Sequence, residues 1–284
     1  EQRVRNATII ATFQASYINF NYIRNIWRQN TERESLLGVS LTGIASREIS
    51  SLNFKRAAKL AVEVNKEWSK KIGINEAHRI TTIKPSGTTS LVFGCSSGIH
   101  AYHSKYWIRR LRVGKNEPIY EYMVNIAPKL VEDCIFDPNN VGIISVPQEA
   151  PKNAILRNEK MSDFLERIKY FYNNWILPGH IKGDNTNNIS ATVNVKDNEW
   201  QELSEWMWKN QSSYNGISMI PYNGGTYKQM PFEECSKEQY EKLYGELKKI
   251  NIEYIGGIGG IGDENGDIKL DSACSGGYCE VTHL

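Results

Sequence analysis

Between Thr81 and His100 the chain reads TTIKPSGTTSLVFGCSSGIH, which places Ser86, Gly87, Thr88, Thr89 and Ser90 directly after a β-branched run. Residues of these types can hold an anion. Gly87 removes the Cβ that would keep a ligand from the backbone, the hydroxyls add donors, and successive amide N–H groups in a tight turn form a concave anion site. A helix starting at Ser90 would aim its positive end at the same place. Pro-Ser-Gly-Thr is equally ordinary turn and helix-cap chemistry, and both readings stand at this level.

A second pair lies near the far end, where Cys274 and Cys279 flank Ser275-Gly276-Gly277-Tyr278. A central Gly-Gly can fold two sulfurs into disulfide range, and the preceding IGGIGGIG is a flexible leash. A dithiol on a leash suits electron delivery by thiol–disulfide exchange. Inert exposed thiols are the plain alternative. Zinc ranks below redox, because only His283 and Cys235 offer themselves as further ligands.

Cys95, Cys134 and Cys235 have no partner at a telling spacing and are expected to be structural. His100 and His103 are three apart without a third ligand in sight, which favours a polar rim role over a metal. His180, in PGHIKGDNTNN, lies in a turn-rich stretch that is either a site loop or a surface connection.

The elements that must position these residues follow from periodicity. Val4, Ala7, Ile10, Ala11, Ala15, Ile18, Tyr22 and Trp27 recur at helical spacing, as do Phe54, Ala57, Ala61, Val64 and Trp68, with Gly73 as a stop signal. His78 to Lys84 predicts a strand ended by Pro85. Tyr106 to Val113 predicts another, with Trp107, Leu111 and Val113 on one face and Arg110 and Arg112 on the other. Val141 to Val146 is short, apolar and β-branched, as a buried parallel strand would be. Met161 to Trp175 predicts a helix stopped by Pro178-Gly179, and Ile189 to Val195 a strand leading into a helix capped by Asp197. Ser236-Lys237-Glu238-Gln239 fits a capping box ahead of the Tyr240, Leu243, Leu247, Ile250 stripe. This alternation predicts an α/β fold with a mainly parallel sheet or barrel over residues 1–254, and a glycine-rich flexible tail over 255–284.

The chain has 284 residues, of which 34 are basic and 32 acidic, for a net charge of +2. That balance gives no broad footprint for nucleic acid, so an anionic ligand must be bound locally. No apolar run is long enough for a membrane span, and five scattered cysteines fit a reducing cytoplasm better than secretion. Residue 1 is Glu, and the helical pattern opens there without a cap, so upstream sequence is expected.

TTIKPSGTTSLVFGCSSGIHAYHSKYWIRRLRV resembles the phosphate-loop region of ribonucleotide reductases, most closely the monomeric adenosylcobalamin-dependent ribonucleoside-triphosphate reductases. ESLLGVSLTGI (Glu34 to Ile44), GDNTNNISATVNVKDNEWQELSEWMW (Gly183 to Trp208), SMIPYNGGTYKQMPFEE (Ser218 to Glu234) and the terminal Cys-x-x-x-x-Cys continue the resemblance in order. It implies the C-terminal part of a ten-stranded α/β barrel that reduces ribonucleotides to 2′-deoxyribonucleotides by thiyl-radical chemistry. By that likeness Ser86, Gly87, Thr88, Thr89 and Ser90 cradle the substrate phosphates. Cys274 and Cys279 become the shuttle between the active-site cysteines and thioredoxin.

The family's thiyl cysteine is followed two residues on by glutamate. Here Cys95 precedes Ser96-Ser97, Cys134 precedes Ile135-Phe136, and Cys235 precedes Ser236-Lys237. The resemblance therefore implies that the radical-bearing cysteine belongs to an N-terminal half, in the same or a separate chain. Adenosylcobalamin is the implied cofactor, with contacts expected within Ile108 to Lys169 and Lys228 to Asp267. No Asp-x-His-x-x-Gly pattern for histidine ligation of cobalt is present. The alternatives are the large chain of an iron-dependent reductase, and a nonenzymatic nucleotide-binding remnant of a split gene.

Overall fold

The structure, a computed structural model, describes residues 1–47, 52–222 and 228–251. In chain order its helices and strands are α1 (Gln2–Gln14), α2 (Asn25–Glu34), β1 (Val39–Ser40), α3 (Phe54–Ile72), β2 (Thr81–Thr82), α4 (Thr89–Val92), β3 (Tyr106–Gly114), α5 (Pro118–Ile126) and β4 (Val131–Asp133). They continue with β5 (Val141–Glu149), α6 (Met161–Phe171), β6 (Thr192–Val195), α7 (Trp200–Lys209), β7 (Ser218–Pro221), β8 (Phe232–Glu234) and α8 (Lys237–Leu247). Two compact units result: Glu1–Tyr102 with Lys152–Asn223, and His103–Pro151 with Gly224–Leu284. The expected tail and its cysteines lie outside the described residues.

The first unit is the parallel one. β1 pairs with β2, β6 pairs with β7, and a parallel bridge between Ile83 and Ile189 joins the two pairs. The order is therefore β1-β2-β6-β7, and among the described residues these strands do not close into a barrel. The predicted strand over 78–84 is regular only at Thr81 and Thr82, with single bridges at Arg79 and Ile83.

α3 forms as its sequence dictates. Asn53 caps it by accepting the Arg56 amide at 2.9 Å, Gly73 ends it at φ +76°, and Phe54, Ala58, Ala61 and Val64 are buried along one stripe. Phe54, Ala58 and Ala61 of that stripe join Ile80, Ile83, Leu165, Ile168, Trp175, Ile176, Ile189 and Val193 in one core. After α6 the chain widens into a π-helical turn, Tyr172–Ile176, and then tightens into a 3₁₀ turn, Leu177–Gly179. The π turn presents Trp175 to the core, where its indole N–H donates to the Thr82 carbonyl at 3.0 Å. A Cβ on Gly179 would lie 1.9 Å from Thr81 Oγ1, so only glycine lets this turn reach β2.

The second unit is antiparallel, in the order β4-β5-β3-β8. Here the expectation for Val141 to Val146 fails in direction: β5 is long and pairs antiparallel with both β3 and β4. It reads as a parallel strand because both its faces carry apolar residues. Ile144 and Val146 pack with Tyr122, Met123, Leu130, Leu243 and Leu247, while Val141 and Ile143 cluster with Cys134 on the other side. β3 presents Val113 to the first cluster and keeps Arg110 on the other face between Glu132 and Glu233. α8 carries its capping box, with the Gln239 amide donating to Ser236 Oγ at 3.2 Å and the Ser236 amide to Gln239 Oε1 at 2.9 Å.

Two further expectations are corrected. The pattern from Val4 to Trp27 is not one helix, because α1 ends at Gln14 and a turn separates it from α2. Asp197 does not cap α7. That helix begins at Trp200, and Glu199 occupies the capping position, its carboxylate accepting the Lys196 amide at 2.9 Å. Among the described residues no helix is long and apolar enough to cross a membrane.

Candidate functional site

Pro85 ends β2, and the chain turns through Ser86, Gly87 and Thr88 into α4. Two of the five loop residues hold the turn together. The Ser86 amide donates to Ser97 Oγ at 3.0 Å, and the Ser86 carbonyl accepts both the Ser90 amide at 2.8 Å and the Ser90 hydroxyl. Ser90 is accordingly buried, with its hydroxyl engaged inside the loop. Gly87, Thr88 and Thr89 are exposed, and their three consecutive amides have no acceptor among the described residues. The structure thus separates the predicted set into two braces and three open donors. No atom lies within 4 Å of a Cβ built on Gly87, so the approach to these amides is open.

The braces lead to a residue the sequence reading missed. Thr42 Oγ1 donates to the Ser96 carbonyl at 2.9 Å, accepts the Gly98 amide at 3.1 Å and lies 2.6 Å from Ser86 Oγ. With its own proton on Ser96, Thr42 accepts from the Ser86 hydroxyl. Gly98, at φ +54°, crosses beneath the loop so closely that a Cβ there would lie 2.6 Å from the Lys84 carbonyl oxygen. The hydroxyl-rich Ser96-Ser97-Gly98 was visible in the motif, but nothing local tied it to Thr42.

His100 fixes the far side of this arrangement. Its Nε2 accepts the Thr192 amide at 3.0 Å, so the ring proton is on Nδ1, which donates to the Ser97 carbonyl at 3.2 Å. Burial pushes the imidazole below its ordinary value, the Ser97 carbonyl opposes this, and the Arg167 charge adds to the lowering. The ring is a neutral link between loop and β6, not the polar rim its sequence suggested.

Because β1, β2, β6 and β7 are parallel, the residues that follow them share one edge: Thr42 after β1, the Ser86 turn after β2, Lys196 after β6 and Tyr222 after β7. The C-terminal edge of a parallel sheet is where such folds take ligands.

The remaining candidates gather no site. Cys134 and Cys235 are buried and Cys95 half-buried, all three unbridged. Burial raises the Cys235 thiol, with Glu233 and Glu234 adding to it, which opposes thiolate chemistry. Among the described residues no three His, Cys, Asp or Glu side chains come together as a metal site. His103 stacks on Phe232, and His180 Nε2 donates to the Gly183 carbonyl at 2.9 Å within its own turn. A cavity of about 450 Å³ against α7 and β7 is lined chiefly by Trp200, Leu203, Met207, Trp208, Tyr214 and Met219, with no carboxylate, imidazole or thiol.

No family model matches the chain. It is 29% identical over 259 residues to the adenosylcobalamin-dependent ribonucleoside-triphosphate reductase of Euglena gracilis, covering 87% of this chain and 34% of that protein. To the reductase of the same name from Lactobacillus leichmannii it is 25% identical over 229 residues, covering 78% of this chain and 29% of the relative. A crystal structure of a B12-dependent (class II) ribonucleotide reductase matches with a TM-score of 0.72 at 20% identity, over 89% of this chain and 39% of that one. The chain spans about a third of the length of the curated relatives it matches. Over most of its own length it is therefore similar in sequence to adenosylcobalamin-dependent ribonucleoside-triphosphate reductases and shares the mixed α/β fold of the class II enzyme.

Proposed function

We propose that this chain is the C-terminal, phosphate-anchoring and dithiol-delivering part of an adenosylcobalamin-dependent reductase of ribonucleoside triphosphates. One observation carries the reading: the amides of Gly87, Thr88 and Thr89 stand open at the C-terminal edge of the parallel strands, on a turn braced by Ser86, Ser97, Thr42 and His100. Amides and hydroxyls held in this way bind phosphate oxygens and fix where the ribose sits. The four parallel strands are then one arc of the ten-stranded barrel, which the rest of the reductase completes.

In the overall change the nucleotide loses its 2′-hydroxyl as water and gains hydrogen, while a dithiol is oxidised to a disulfide. Cys274 and Cys279, outside the described residues, are assigned the reduction of that disulfide and then present their own to thioredoxin. The thiyl cysteine is assigned to the remainder of the reductase. The chemistry adenosylcobalamin supplies when bound is radical initiation by cobalt–carbon homolysis. Neither Ile108 to Lys169 nor Lys228 to Asp267 contains histidine, and Ile135 and Phe136 in the first segment are exposed apolar residues. These segments fit a cofactor held by apolar contact and hydrogen bonds.

The test combines the chain with the remaining part of such a reductase, adenosylcobalamin, a ribonucleoside triphosphate and thioredoxin. Deoxyribonucleotide should form, and the pair Cys274→Ser with Cys279→Ser should stall it after about one turnover. No turnover from a folded pair would refute the assignment. Turnover that requires a separate radical-supplying protein instead of cobalamin would transfer it to an iron-dependent reductase.

A further inference from the structure

The open loop offers only neutral donors, whereas a triphosphate brings several negative charges to be balanced. Along the same edge, Arg157 and Lys196 both lie against the ring of Tyr222. The guanidinium carbon is 5.1 Å and the ammonium nitrogen 5.9 Å from the ring centroid. Lys196 follows β6 and Tyr222 follows β7, so the pair is reached one to two strand spacings from β2, within about 10 Å across the sheet.

Arg157 is placed by the backbone. Its amide donates to the Tyr102 carbonyl at 2.8 Å, the Tyr102 amide donates to the Ile155 carbonyl at 2.9 Å, and the Tyr102 hydroxyl lies 2.8 Å from Ser46 Oγ. Tyr102 is two residues beyond His100, the link that ties Ser97 to β6. Neither cation has a carboxylate partner among the described residues. Of the acids near them in sequence, Glu159 pairs with Arg167, Glu199 takes the Lys196 amide rather than its ammonium, and Asp197 makes no ion pair among the described residues. Both charged heads are held within about 11 Å of each other by the shared ring, a span that one polyphosphate can bridge.

We infer that Arg157 and Lys196 bind the outer phosphates of a ribonucleoside triphosphate whose inner phosphate rests on the amides of Gly87, Thr88 and Thr89, with Tyr222 as the residue that positions both cations. This deepens the proposed function and rests on its reading of the loop. It makes the edge selective for the number of phosphates. A planar guanidinium fork and a mobile ammonium are complementary means of holding a terminal phosphate.

The experiment titrates the full chain with a ribonucleoside tri-, di- and monophosphate at low ionic strength. The parent should bind them in that order of affinity. Arg157→Gln and Lys196→Gln should each weaken the triphosphate by about 10-fold and leave the monophosphate within about 2-fold. Tyr222→Phe should bind as the parent does, and Tyr222→Leu should lose part of the triphosphate preference. Gly87→Ala should weaken all three ligands alike.

Unchanged triphosphate affinity in the folded Arg157→Gln/Lys196→Gln chain, with Gly87→Ala still effective, overturns the inference and leaves the loop reading standing. Loss of mono- and triphosphate alike in the cation variants also overturns it. An effect of the cation variants without any effect of Gly87→Ala refutes the loop reading, and the inference built on it falls with it. A parent that binds none of the three overturns both.

Discussion

The Ser86 amide donates to the hydroxyl of Ser97, eleven residues away, at 3.0 Å, while the next three amides, on exposed residues, have no acceptor among the described residues. The glycines around it have opposite duties. A Cβ on Gly98, at φ +54°, would lie 2.6 Å from the Lys84 carbonyl oxygen, whereas a Cβ on Gly87 would meet nothing. Gly98→Ala should therefore cost about 2 kcal/mol or more of stability, from left-handed strain plus the clash. Gly87→Ala should change stability by no more than about 0.5 kcal/mol while weakening phosphate binding. Denaturant unfolding of the two variants checks the contrast, and equal stability losses would contradict it.

Thr42 is the other brace. Thr42→Val removes the acceptor for Gly98 N–H and Ser86 Oγ–H and the donor to the Ser96 carbonyl. The expected loss is about 1–3 kcal/mol, because partly buried polar groups are left without partners. Thr42→Ser should recover most of it. Unfolding midpoints of the three proteins read the result, and a neutral Thr42→Val would remove Thr42 from the loop's support.

His100 gives the fold a pH dependence of definite sign. Burial holds its imidazole below the ordinary value of about 6.5 that the unfolded chain retains. Below that pH the unfolded state takes up more protons than the folded one, so stability falls as pH drops, by at most about 1.4 kcal/mol per unit, until the folded imidazole itself titrates. Above it the group contributes no slope. Glu34 and Glu246, whose carboxyls ion pairs hold below the usual range, act at lower pH. His100→Gln should flatten the change in unfolding free energy between pH 7.5 and 5.5. An undiminished slope in the variant would place its origin elsewhere.

Elements whose reasons are local were legible in the sequence. Gly73 stops α3, and Ser236 with Gln239 starts α8, through bonds within four residues. The direction of β5 was not legible, because an apolar run records that both faces are covered, not which strands lie beside it. For the candidate site, residue types pointed to the turn at Ser86, but the division between brace and open amide is tertiary. Thr42 is 44 residues from Ser86, and His100 meets Thr192 across 92. A histidine beside a polar motif reads as rim, and only its position between loop and β6 makes it a half-buried link.

The central claim is that the amides of Gly87, Thr88 and Thr89 receive the phosphates of a ribonucleotide. Backbone amide resonances of the isotope-labelled full chain, followed while a ribonucleoside triphosphate is added, test it most directly. The signals of these three residues should shift together and saturably, with the shift reduced in Gly87→Ala. Saturable binding that leaves all three in place, or no binding at millimolar nucleotide, would contradict the account.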